Sequence, residues 1–133
     1  MVRLTSKWKL KNGLTPEVLH NLAAAAELIQ SKELGTLMYL IHLEAPFPLD
    51  SSGRVIMPPP SLIPNDQQTD ITFIEVYKDA DAFSAHINGS IFLDFLYENL
   101  KYFEEDPEKP GWPVTETHVL ELDAGFIRPE QNW

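Results

Sequence analysis

The chain has 133 residues, enough for one core and too few for a second domain. Twenty acidic residues against ten basic ones give a formal charge of −10, which disfavours nucleic acid and anionic membrane as partners, since both are held by a surplus of Lys and Arg. Cysteine is absent, which excludes disulfides, thiolate catalysis and Cys-based metal sites. Charged and apolar residues alternate from Met1 to Trp8, unlike a signal peptide, and no apolar run approaches the ~18 residues of a membrane span. A single soluble, cytoplasmic domain is the expectation.

Val2, Leu4, Trp8 and Leu10 share one face of an opening strand, which Asn12-Gly13 closes as a turn pair. Thr15-Pro16-Glu17 reads as N-cap, proline at the first helical position and an acid in the first turn. The helix it starts runs to about Lys32, with Val18, Leu22, Ala25, Ala26 and Ile29 as its apolar stripe. Gly35 is expected to end it in the left-handed conformation.

Thr36 to Glu44 is predicted as a second strand, with Leu37, Tyr39, Ile41 and Leu43 on one face and Met38, Leu40 and His42 on the other. Ile71 to Lys78 is a third, with Phe73 and Tyr77 opposite Ile74 and Val76. Both strands are apolar on both faces, whereas an antiparallel sheet with one wet face reads polar on that side. Helices can cover only one face, so a second copy of the chain is expected to cover the other. Between these strands residues 45–69 carry six prolines. This insertion is predicted as a stiff extended arm whose Val55-Ile-Met57 could dock on the body or a partner.

Asp79 is a helix cap, and the helix it starts holds Ala82, Phe83, His86 and Ile87 on one side. Asn88-Gly89 breaks that helix. Ser90 is expected to cap a further one carrying Phe92, Phe95, Leu96 and Leu100. An acidic, proline-flanked loop over residues 104–111 precedes a long last strand, Thr115 to Phe126, within an extended C-terminal segment, 112–133. The tail to Trp133 is expected to be able to reach a second subunit. The order β-α-β-β-α-β predicts an α+β, ferredoxin-like fold, an antiparallel sheet with helices on one face.

With these elements placed, Trp8-Lys-Leu-Lys-Asn-Gly13, Glu33-Leu-Gly-Thr-Leu-Met-Tyr39, Phe73-Ile-Glu-Val-Tyr77 and Ala82-Phe-Ser-Ala-His86 carry a resemblance. So does the spacing from His86 through Ser90-Ile-Phe92 to Phe95. Over residues 2–103 the chain resembles the antibiotic biosynthesis monooxygenase family of the dimeric α+β barrel superfamily. The resemblance implies a homodimer with sheets packed face to face, and an apolar cavity between sheet and helices. It also implies cofactor-independent oxidation of an electron-rich phenolic or quinol substrate by O₂, for which the protein supplies a base, an oxyanion donor and dry walls.

His86 is the leading base, since an imidazole moves protons near neutrality and the resemblance puts a histidine on this helix. The alternative is a half-buried imidazole bonded to a nearby carbonyl. Glu75 lies mid-strand among apolar neighbours, where an unpaired carboxylate is costly. It could orient a histidine, but a bond to a backbone amide or to a partner's lysine is the favoured reading. Tyr39, Trp8, Phe73 and Phe83 are candidate cavity walls, with core packing as the competing role. No HExxH, HxH, carboxylate cluster or glycine-rich phosphate loop is present, so no metal, nucleotide or flavin is expected. The haem-degrading relatives that resemble this chain use an asparagine in the first strand. Val2 to Leu10 has none, which leaves haem a minor reading. A ligand-binding or stress-associated dimer without chemistry is the main alternative.

Overall fold

The structure, a computed structural model, describes residues 1–129. Four strands form one antiparallel sheet: β1 (Val2–Lys9), β2 (Thr36–Leu43), β3 (Asp70–Tyr77) and β4 (Thr115–Leu120), in the order β2-β3-β1-β4. Helix α1 (Pro16–Lys32) connects β1 to β2, and α2 (Ala80–Ile87) with α3 (Ser90–Asn99) connects β3 to β4. This is the α+β, ferredoxin-like arrangement that the periodicities predict, with its second helix broken in two.

Local chemistry accounts for the helix starts. The Thr15 hydroxyl accepts from the Val18 amide, and the Asp79 carboxylate accepts from the Ala82 amide, so each satisfies a donor that the first turn leaves free. Ser90 does not cap α3: the cap position is Gly89, with no side-chain bond, and Ser90 is the first helical residue. Gly89 stays small because a Cβ there would meet the Ala85 carbonyl oxygen at 2.6 Å.

The expected role of Gly35 also changes. Its φ is not positive, and α1 is capped at Glu33. A Cβ on Gly35 would instead lie 2.6 Å from the Ala82 Cβ. The glycine lets the start of β2 pass under α2.

The inward faces of β1 and β3 supply Leu4, Trp8, Ile71 and Phe73 to the core, and the helices supply Val18, Leu22 and Phe92. On β3 the burial alternates strictly along the strand, so Ile74 and Val76 lie half-buried on the face away from the helices. In β2 a bulge between Thr36 and Met38 takes Leu37 out of the inward row. It is half-exposed, contrary to its predicted place beside Tyr39.

The last strand is shorter than expected. It ends at Leu120, because its partner β1 runs out: Leu120 already pairs with Arg3. Leu122 and Phe126 lie beyond it and are exposed. The expectation for the tail concerns in part residues 130–133, which fall outside the described residues.

The proline-rich insertion is folded back on itself rather than fully extended. Leu49 bridges Val55 across a turn in which the Asp50 carboxylate accepts from the Ser52 and Arg54 amides and the Ser52 hydroxyl. Its base is held by the buried Gln68, whose side-chain amide donates to the Glu44 carbonyl and accepts from the Glu44 amide. Val55 and Met57 are largely exposed, so this apolar element does not dock on its own body.

Candidate functional site

The inward row of β3 puts Phe73, Glu75 and Tyr77 two residues apart on one face. Across the ladder Tyr39 stands opposite Glu75. Helix α2 then lays His86 over this row. Its imidazole is 1% exposed and lies among Tyr39, Tyr77 and Phe92, with ring centroids 5.6, 5.4 and 5.1 Å away.

Two carboxylates flank that ring. Nδ1 lies 2.7 Å from Glu33 Oε1, and Nε2 lies 3.7 Å from Glu75 Oε1. Glu33 is partly exposed, and a carboxylate only accepts, which makes Nδ1 the donor. Nε2 is then left without a partner, the one buried side-chain nitrogen or oxygen among the described residues in that state. Such an orphan costs stability, and its persistence marks a position where chemistry or a bound group is to be sought.

Among the described residues Glu75 has no backbone-amide partner, one of the two bonds favoured from its sequence context. The Tyr77 hydroxyl donates to its Oε1 at 2.6 Å. Burial raises the Glu75 carboxyl above the usual carboxylate range, and the Tyr77 bond and the charge of His86 pull back against that rise. Burial also lifts the phenols of Tyr39 and Tyr77, helped by the nearby Glu75, so both stay protonated donors.

The four predicted wall residues, Trp8, Tyr39, Phe73 and Phe83, line one cavity of about 70 Å³ together with Glu75. Its far end is formed by Trp112 and by the exposed Thr115 and Thr117 of β4. The Trp8 ring is locked there, its Nε1 donating to the Ser6 hydroxyl, which bonds in turn to Thr117. His86 does not line this cavity. It lines a void of about 10 Å³ behind Tyr39 and Phe92, and faces the larger cavity through Glu75. No residue of the proline-rich insertion lines the cavity; Trp112 does, tilted against Phe92 with ring centroids 5.5 Å apart and with the Lys109 ammonium 3.8 Å from its ring centroid.

The sequence does not mark Glu33 as a site residue, because nothing in linear spacing joins it to a histidine 53 positions later. One signal was available. Glu33 caps the C-terminal end of α1, where the helix dipole opposes a carboxylate, so a buried cationic or N–H partner is called for. His42 and His118 are remote from the cluster: His118 sits on the edge strand, paired with Glu116, and His42 is exposed on β2. Asn12 lies in the turn after β1, and no asparagine falls within β1.

No protein-family model matches the sequence, and no curated protein matches it either. Solved structures do match in fold. A candidate antibiotic biosynthesis monooxygenase from Caulobacter crescentus is 12% identical, with 92% of this chain and 90% of that one aligned at a TM-score of 0.61. SnoaB, a cofactor-independent oxygenase from Streptomyces nogalater, is 16% identical over 97% of each chain, with a TM-score of 0.54. At3g17210 from Arabidopsis thaliana is 12% identical over 96% of this chain and all of the other, at 0.58. The fold is that of the antibiotic biosynthesis monooxygenases. Each of these alignments covers at least 90% of both chains. Among the described residues no helix is long and apolar enough to cross a membrane.

Proposed function

We propose that the protein is a cofactor-independent monooxygenase for an electron-rich aromatic or quinol, acting as a homodimer. The observation that carries this reading is the buried Glu75–His86 pair: a carboxyl at a cavity wall, with an unpartnered imidazole nitrogen behind it. Glu75 touches the guest and takes its hydroxyl proton, and His86 Nε2 draws that proton away from the cavity. Tyr77 holds the Glu75 carboxyl in place, and the aromatic walls exclude water, so the ring anion meets O₂ in a dry site. The shared fold with a cofactor-independent oxygenase supports the reaction class.

The cavity's size favours a second reading. Ligand sites commonly enclose roughly 300–1,000 Å³, and benzene enters an apolar cavity of about 150 Å³. At about 70 Å³ this one admits an aromatic ring only if Trp112 swings off Phe92. A cavity that opens only to bind, or never opens, belongs to a non-catalytic ligand-binding or stress-associated dimer of the same fold. The same volume leaves haem without support from the structure.

Oxygen uptake decides between the two. With a panel of naphthalene and anthracene hydroquinones, the protein should consume O₂, and Glu75→Gln should lower kcat by roughly 10²–10⁴-fold, the span of general acid–base catalysis. Binding of a hydroquinone without O₂ consumption points to the second reading.

A further inference from the structure

On its helical side the site meets a second feature. Between α1 and α3 runs an open groove of about 500 Å³, and Glu33 is part of its wall. Thus Glu33 has one side on solvent and its Oε1 on His86 Nδ1. Behind the ring Nε2 faces Glu75, which lines the cavity next to the sheet. Carboxylate, imidazole and carboxylate therefore form one line from the cavity to the outer groove, through a layer otherwise closed by aromatic rings.

We infer that Glu33 is the outer end of a proton path that joins the cavity to solvent through His86, a role that rests on the reading of Glu75 and His86 given above. Glu75 gains the guest's hydroxyl proton and passes it to His86 Nε2. The imidazolium then breaks its Nδ1–H bond to Glu33 Oε1, and Glu33 releases that proton to water in the groove. One proton enters at Nε2 and one leaves at Nδ1, so the ring ends as the other neutral tautomer. The return stroke restores it: Glu33 takes a proton from groove water, Nδ1 accepts it, Nε2 protonates Glu75, and Glu75 gives that proton to the reduced oxygen of the product, which leaves it ionised for the next guest. No electrons change hands in these steps. The 3.7 Å gap to Glu75 closes by rotation about its last torsion, which is broad for a carboxyl.

The titratable groups that face the ring come from three elements. Glu33 comes from the end of α1, Tyr39 from β2, and Glu75 and Tyr77 from β3; α3 presents the uncharged Phe92. In the groove Lys32, Asp94 and Glu98 stand near the exit. Glu33 does not touch the guest and is a positioning and proton-transfer residue.

The test needs no substrate. In protein labelled with ¹⁵N at the histidine rings, exchange of the His86 Nδ1 proton with water is measured by magnetisation transfer, with His86→Asn identifying the signal. Glu33→Gln can still accept the Nδ1–H bond but cannot carry a proton, so exchange should slow roughly 10²-fold. Glu33→Ala should be slow as well and recover with millimolar formate, which reaches the ring through the groove; wild type should ignore formate. Glu33→Asp, whose carboxylate is one methylene further from the ring, should also slow exchange and stands in should the Gln variant lose its native backbone spectrum. Exchange as fast as wild type in these variants, or a Glu33→Ala protein indifferent to formate, overturns the path. Failure of O₂ uptake in wild type would remove the proposed reaction while leaving this measurement intact; normal uptake with unaltered exchange would remove only the role of Glu33.

Discussion

His86 is held between two carboxylates, so deleting it does more than remove a base. His86→Ala leaves Glu33 and Glu75 facing an empty space with no N–H between them, and a hydrogen bond to a charged group is worth about 1.5–3 kcal/mol. Urea unfolding should show a loss of that order, and a loss below 1 kcal/mol would mean the ring is not pinned as described. Loss of turnover in that variant alone therefore says little about mechanism, and Glu75→Gln is the cleaner probe. The amide keeps the Tyr77 bond and removes the desolvated charge. The sign follows from the raised carboxyl: the native state holds the Glu75 proton at pH values where the unfolded chain has released it, so wild type loses stability as pH rises above the ordinary carboxylate range. The Gln variant lacks that slope. Its stability relative to wild type should grow between pH 4 and pH 7, and a constant difference by urea titration would show that Glu75 is not desolvated in solution. At this scale the sequence showed the walls and the histidine, because inward alternation on strands and a capped helix are local patterns. The partner of the histidine was hidden, because Glu33 and His86 meet only after α1, β2 and β3 have folded between them.

Close approach of elements explains Gly35 better than turn geometry does. With ordinary φ and only 2.6 Å available between a new Cβ and the Ala82 Cβ, Gly35→Ala should destabilise by about 1–3 kcal/mol through overpacking. Ala82→Gly removes the clashing atom, so the double variant should recover most of that loss, less the ~1 kcal/mol that glycine costs in a helix. Additive losses in a double-mutant cycle would instead place the strain elsewhere. Helix starts were readable in the sequence for a plain reason: Thr15 and Asp79 act within three residues of themselves. Element ends were less so. The stop of β4 at Leu120 depends on the length of β1, and the bulge that displaces Leu37 depends on pairing with β3; neither is written in its own segment. The alternation from His118 to Phe126 is real as a pattern, but pairing, not pattern, ends a strand.

The outward face of the sheet sets the expectation for assembly. Register places Met38, Val76, Arg3 and Leu120 in one row, Leu40, Ile74, Thr5 and His118 in the next, and His42, Thr72, Lys7 and Glu116 in the third. The face is therefore apolar near the β2–β3 pair at one end and polar at the other. No helix covers it, and Ile74 and Val76 are only half-buried in the isolated chain. An antiparallel sheet that met only water here would gain nothing from Leu40, Ile74 and Val76, since each exposes apolar area at roughly 25 cal/mol per Å². In the proposed homodimer a second copy packed sheet to sheet would remove that area from water, and a two-fold rotation would set apolar end against apolar end. Ile74→Lys puts an unpaired charge at the middle of the apolar patch, once from each copy. Such a burial should weaken association by about 3 kcal/mol, roughly a hundredfold in dissociation constant. Sedimentation at micromolar concentration should then show wild type at twice the 15.1 kDa chain mass and the variant moving towards 15.1 kDa, with its own fold retained because residue 74 points away from the core. Wild type sedimenting at 15.1 kDa would mean that the apolar rows are left to solvent, and the shared sheet would have to be abandoned.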